Sequence, residues 1–132
     1  MKRKANRIEE AVLGILTSCS YATRGISFAF RSQRNLRIHF FAALFVVVAG
    51  RLLQFEPWEM AVLVVTVTLV ITAELFNSAL EFFLNLMEAR NHPTVRAVKD
   101  VAAGATLMAV IGSVVIGLLL FGSRLLSFMG VI

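Results

Sequence analysis

The residues most able to do chemistry lie in Glu74-Leu75-Phe76-Asn77-Ser78-Ala79-Leu80-Glu81, inside an otherwise apolar run. On a helix advancing about 100° per residue, Asn77 falls at roughly −60° from Glu74, Glu81 at roughly −20° and Asn85 at roughly +20°. One face thus carries two carboxylates and two amides, while Leu75, Phe76, Leu80 and Phe83 occupy the other. A charge at the centre of a bilayer costs about 2.5–3.5 kcal/mol on insertion scales, so such a face needs partners, water or a task. Carboxylates and amides beside a Lys and several Arg suit phosphoryl transfer. That reaction needs a base for an alcohol, a divalent metal on the phosphates and cations for the developing charge.

The surroundings of this face are those of a membrane. Of 132 residues, 58% are hydrophobic and only 16% charged. A soluble domain of this size leaves too much of its surface wet to bury that apolar content. The net charge is +5, and eight of the thirteen Lys and Arg residues precede Ile38, beside the first hydrophobic run. Basic residues in that position fit an anionic membrane surface. No nucleic-acid-binding motif is present, so no nucleic-acid partner is expected. The single Cys19 excludes an internal disulfide.

The expected fold is all-α and membrane-embedded, a single domain over 1–132 with an N-terminal surface helix and three membrane helices. Residues 5–30 read as the amphipathic surface helix, with Ile8, Val12, Ile15, Cys19, Ala22 and Ile26 at steps of three and four. The polar stretch 32–37 should break it. Membrane helices are expected over 38–55, 60–87 and 101–121. Pro57 should stop the first of these, and Pro93 marks a polar loop after the second. Ala105, Ala109, Ser113 and Gly117 form an i+4 stripe of small residues where another helix can approach closely.

Lys and Arg counts set the expected orientation. The N-terminal segment holds eight, and the loop region holds Arg90, Arg96 and Lys99, while Arg51 and Arg124 fall on the opposite side. By the positive-inside rule the N-terminus and the 88–100 loop face the cytoplasm and the C-terminus faces outward. The Glu74–Glu81 face then sits in the inner leaflet and emerges at the cytoplasmic interface. On spacing alone a small proton-coupled transporter or a non-catalytic membrane module stays open beside phosphoryl transfer. A transporter has no evident need of Lys99-Asp100 and the basic loop. No Walker A loop, soluble-kinase glycine loop or Ser-His-Asp arrangement is present.

Glu74-x-x-Asn77-Ser78-Ala79-x-Glu81, then His92-Pro93, then Lys99-Asp100-Val101-Ala102-Ala103-Gly104 form a specific set, with Arg34-Asn35-Leu36-Arg37-Ile38-His39 ahead of it. Through these residues the sequence resembles the small bacterial integral-membrane lipid kinases, the diacylglycerol kinase and undecaprenol kinase family. The resemblance covers roughly residues 10–120. It implies a homotrimer in the inner membrane with active sites between subunits. It also implies ATP as co-substrate, Mg2+ as cofactor and a membrane lipid alcohol as acceptor. Glu74 would be the general base, with Asn77 positioning it. Glu81 and Gln33 would be the metal ligands, and Tyr21, Arg90, Asn91, His92, Lys99 and Asp100 the nucleotide contacts. Gln33 stands where the family commonly has Glu, and Asn85 where Asp is usual. A Gln oxygen can coordinate a hard cation but brings no charge. The Arg34–His39 entry and the His92-Pro93 loop look more like the undecaprenol kinases, so undecaprenol is the favoured acceptor and diacylglycerol the alternative.

Overall fold

A computed structural model describes residues 2–87 and 92–128, with side chains over 10–87 and 92–127. Four helices follow one another: α1 (Lys2–Ser32), α2 (Arg34–Leu52), α3 (Pro57–Leu86) and α4 (Pro93–Phe128). The all-α expectation holds. Three helices, α2, α3 and α4, are long and apolar enough to cross a membrane. The chain divides into two units, residues 1–34 and residues 35–132.

The N-terminal unit is essentially α1. Its interior Ser and Thr residues would weaken an isolated helix. Here Thr17 donates to the Leu13 carbonyl (2.7 Å), Ser18 to Gly14 (2.9 Å) and Thr23 to Cys19 (3.0 Å). These bonds turn the hydroxyls back onto their own helix, the usual solution for Ser and Thr inside a helix. The expected break over 32–37 shrinks to Gln33, whose N–H still donates to the Ala29 carbonyl (2.8 Å). No Gly or Pro lies between Ser32 and Arg37, so nothing prevents α2 from starting at Arg34.

In the second unit, α2 ends at Leu52, before the expected Phe55. Gln54 adopts φ 55°, its N–H donates to the Arg51 carbonyl (3.1 Å), and the Phe55 N–H donates to Gly50 (3.0 Å). This is a Schellman stop with Gln in the left-handed position that usually takes Gly. Gly50 sits in close packing. A Cβ there would lie 3.2 Å from atoms of Leu63, Met60 and Phe55. Phe55, Leu63 and Leu120 form the buried cluster at this end, and the Phe55 and Phe121 rings lie 4.8 Å apart.

Pro57 does not stop a helix. It starts α3 at the first helical positions, after Glu56, where its missing N–H and fixed φ are suited. The Glu59 carboxylate accepts the Glu56 N–H (2.7 Å), one half of a capping box. α4 likewise begins at Pro93 and runs well past both ends of the expected 101–121.

α3 and α4 pack antiparallel and are clasped at both ends. Arg124 Nη2 donates to Glu59 Oε2 at one end, and Lys99 Nζ donates to Asn85 Oδ1 (2.9 Å) at the other. Glu59 and Asn85 are 26 residues apart on α3, and their partners are 25 apart on α4, so the register is kept throughout. The clasps stand about 39 Å apart along α3. Buried positions on α3 recur as Leu63, Thr66, Val70, Glu74, Asn77, Ser78 and Leu84, and on α4 as Ala102, Thr106 and Leu120. The small-residue stripe is therefore only partly the packing face. Ala105 is exposed, and a Cβ on Gly117 would meet nothing within 4 Å. Ser113 and Gly117 instead line an apolar cavity of about 290 Å3 with His39, Val46, Thr66 and Val70, between α2, α3 and α4.

Candidate active site

The polar face of α3 is the face turned inward. Glu74 is 3% exposed, Ser78 1% and Asn77 8%, while Glu81 is half-buried. Glu74 lies about 18 Å along the axis from the α3 terminus at Leu86, deep in a spanning helix. Three groups act on its carboxylate: His39 from α2, Glu81 from two turns along α3, and Thr106 from α4.

Around Glu74 the polar chemistry is incomplete. Asn77 Oδ1, Ser78 Oγ and Thr106 Oγ1 are buried and have no hydrogen-bond partner. A buried polar atom left in that state typically costs about 1–3 kcal/mol. Three together, next to a buried carboxylate, form a set of groups able to take the polar head of a ligand.

Toward the Leu86 end the face becomes wetter. Asn85, one turn beyond Glu81, is exposed and receives Lys99. Lys99 and Asp100, adjacent in sequence, point to different sides of α4. Asp100 lines a shallow hollow with Pro93, Arg96 and Ala97. Adjacent helical residues diverge by about 100°, so Lys99 and Asp100 leave α4 in different directions. His92 caps α4: its Nδ1 accepts the Thr94 N–H (3.2 Å), and its carbonyl accepts those of Val95 (3.0 Å) and Arg96 (3.2 Å). Arg90 and Asn91 lie outside the described residues.

Tyr21 and Gln33 belong to the N-terminal unit. Tyr21 is exposed, with the Arg24 guanidinium 5.0 Å from its ring centroid. Gln33 occupies the single-residue break between α1 and α2. The second unit by itself carries Glu74, Asn77 and Glu81 on one helix, with Lys99 held at the Asn85 end of it.

Among the described residues no three His, Cys, Asp or Glu side chains form a metal cage. Magnesium does not require one. It is usually held by one or two carboxylates together with waters and substrate phosphates. Half-buried Glu81, at the wetter end of the face, is a donor of that kind.

Sequence reasoning missed His39 and Thr106. Thr106 had a usable signal, since Lys99, Ala102 and Thr106 follow helical steps of three and four and so share a face. His39 had none, because its approach to Glu74 depends on how α2 packs against α3.

Comparison with known proteins identifies the family of the chain. Residues 20–121 match the model of the family described as prokaryotic diacylglycerol kinase. The chain belongs to that family. The match spans Tyr21, Gln33 and the whole set from Glu74 to Asp100. A diacylglycerol kinase of Synechocystis sp. is 43% identical over 116 residues, 87% of this chain and 66% of that protein. The chain thus spans slightly under two thirds of the length of that relative. An undecaprenol kinase of Bacillus subtilis is 34% identical over 105 residues, 80% of this chain and 85% of that protein. A diacylglycerol kinase of Escherichia coli is 27% identical over 110 residues, 83% of this chain and 90% of that protein. Membership of a prokaryotic diacylglycerol kinase family fits the three candidate spans.

Proposed function

We propose that this chain is an ATP- and magnesium-dependent lipid kinase of the bacterial inner membrane, with undecaprenol as the favoured acceptor. The observation that carries the reading is Glu74, a buried carboxylate beside unpartnered polar atoms of Asn77, Ser78 and Thr106. Family membership supports the reaction class. The Arg34–His39 entry, the His92-Pro93 loop and the 34% identity to the Bacillus undecaprenol kinase support the acceptor. The 43% identity to the Synechocystis diacylglycerol kinase supports diacylglycerol as the second reading.

In this mechanism Glu74 takes the proton from the lipid hydroxyl, and Asn77 orients the carboxylate. The alcohol oxygen bonds to the γ-phosphorus as the bond to the bridging oxygen breaks and ADP departs. Burial keeps water, a competing acceptor, away from the transferring group. Glu81 would hold magnesium together with phosphate oxygens, and Gln33 would add a neutral oxygen ligand. Magnesium bound there supplies neutralisation of charge on the phosphates. Lys99 meets the phosphates at the Glu81 end, held there by Asn85. Tyr21, Arg90, Asn91, His92 and Asp100 contact the nucleotide. The active protein is a homotrimer with sites between subunits, its N-terminus and nucleotide side cytoplasmic and its C-terminus outside. The divergence of Lys99 and Asp100 fits such sharing, because each can then face a different site.

Purified protein in mixed micelles with labelled ATP tests the reading. Label is expected in undecaprenol, with slower transfer to diacylglycerol. Faster labelling of diacylglycerol would establish the second reading, and labelling of neither would overturn both.

A further inference from the structure

Thr106, with Ser78, departs from the usual pattern among the buried hydroxyls of the spanning helices. Thr66 donates to the Val62 carbonyl (2.7 Å), Thr68 to Val64 (2.8 Å), and Ser113 to Val110 (2.8 Å). That return bond is the ordinary way to keep a Ser or Thr in an apolar helix. Thr106 is only 7% exposed, yet its Oγ1 makes no hydrogen bond. The register set by the clasps explains where it faces. Eight residues back from Asn85 on α3, and seven forward from Lys99 on α4, Asn77 and Thr106 lie at about the same level, and both are buried. Glu74 is one turn away from Asn77 on the same inward stripe. Thr106 thus brings a hydroxyl from α4 to the neighbourhood of Glu74 and the α3 atoms that otherwise form this face.

We propose that Thr106 binds the acceptor alcohol directly, its hydroxyl hydrogen-bonding the substrate oxygen while that oxygen's proton points at Glu74. This rests on the lipid-kinase reading. Thr106 exchanges no proton in the reaction. The alcohol proton moves to Glu74, the alcohol oxygen forms its bond to phosphorus, and ADP carries away the electrons of the broken bond. What Thr106 adds is a second point of attachment, which fixes the direction of the O–H bond. An alcohol held by one contact can rotate its proton away from the base, whereas one held by two cannot.

Thr106→Val keeps the shape and removes the hydroxyl, and Thr106→Ser keeps the hydroxyl and removes a methyl. For Thr106→Val we expect roughly a five- to tenfold fall in kcat/KM for the lipid alcohol, the value of one neutral hydrogen bond, with KM for ATP unchanged. Thr106→Ser should recover most of that loss. Wild-type kinetics in Thr106→Val, or equal impairment in both variants, would overturn the proposal by showing that the hydroxyl does nothing. Retention of undecaprenol and of diacylglycerol by each protein, read by native mass spectrometry, provides a readout independent of turnover. Weaker retention by Thr106→Val than by wild type supports the proposal, and equal retention counts against it. If wild type phosphorylates neither alcohol, the kinase reading fails, and retention still decides whether Thr106 holds the alcohol.

Discussion

At the scale of single residues, the proposed base and the proposed metal ligand share one helix face but differ in burial. Glu74 is buried and Glu81 half-buried, so the first suits a proton from a lipid and the second suits hydrated magnesium and phosphates. Glu81→Ala should shift the magnesium concentration for half-maximal rate upward by about tenfold or more, as for loss of a group that holds a metal in place. An unchanged magnesium titration would remove Glu81 from the metal. The α3 half of this site was legible in sequence, because carboxylates and amides at steps of three and four inside an apolar run can only share a face. The α4 half was less so. Lys99 and Asp100 read as a pair, but adjacency on a helix is divergence, and only Lys99 turns to Asn85. Thr106 shares a helix face with Lys99 and Ala102, but a lone Thr in an apolar helix ordinarily bonds its own backbone, so the spacing alone does not mark its hydroxyl as available.

At the scale of elements, the ends of helices decide the geometry, and they were the hardest features to read. Pro57 looked like a stop but begins α3, since Pro suits a first turn as well as it disrupts an interior one. The end of α2 carried no Gly signal, because Gln54 takes the left-handed position itself. Gln54→Gly should therefore stabilise the protein by about 1 kcal/mol, read as a higher Tm, because it relieves a conformation that disfavours a Cβ. A lower Tm would mean that the Gln side chain contributes more than its backbone conformation costs. The Glu59–Arg124 clasp was invisible because its partners lie 65 residues apart. Arg124→Ala should lower Tm, and the double exchange Glu59→Arg with Arg124→Glu should recover part of the loss. No recovery would show that the charges matter for something other than each other. Because this clasp and the Asn85–Lys99 contact fix one register, the Arg124 variant should also slow catalysis, although Glu59 lies about 22 Å from Glu74 along α3.

At the scale of the whole molecule, the expected arrangement of one N-terminal helix and three membrane helices matches the four observed helices. Composition made this plain, because 58% hydrophobic content in 132 residues has few other outcomes. Many large apolar side chains on α2, α3 and α4, among them Phe45, Leu69, Phe76 and Leu118, are exposed on the single chain. Lipid and the neighbouring subunits of the proposed trimer are what those faces are built to meet. The central claim, however, is chemical: a buried carboxylate on α3 takes the proton of a lipid alcohol. Its most direct test compares wild type with Glu74→Gln, an isosteric change, for transfer of label from ATP to undecaprenol and to diacylglycerol, with the assembly state measured alongside. The account predicts an intact oligomer whose transfer rate falls by about 10²- to 10⁴-fold, the usual contribution of a general base. Wild-type transfer by Glu74→Gln would contradict it.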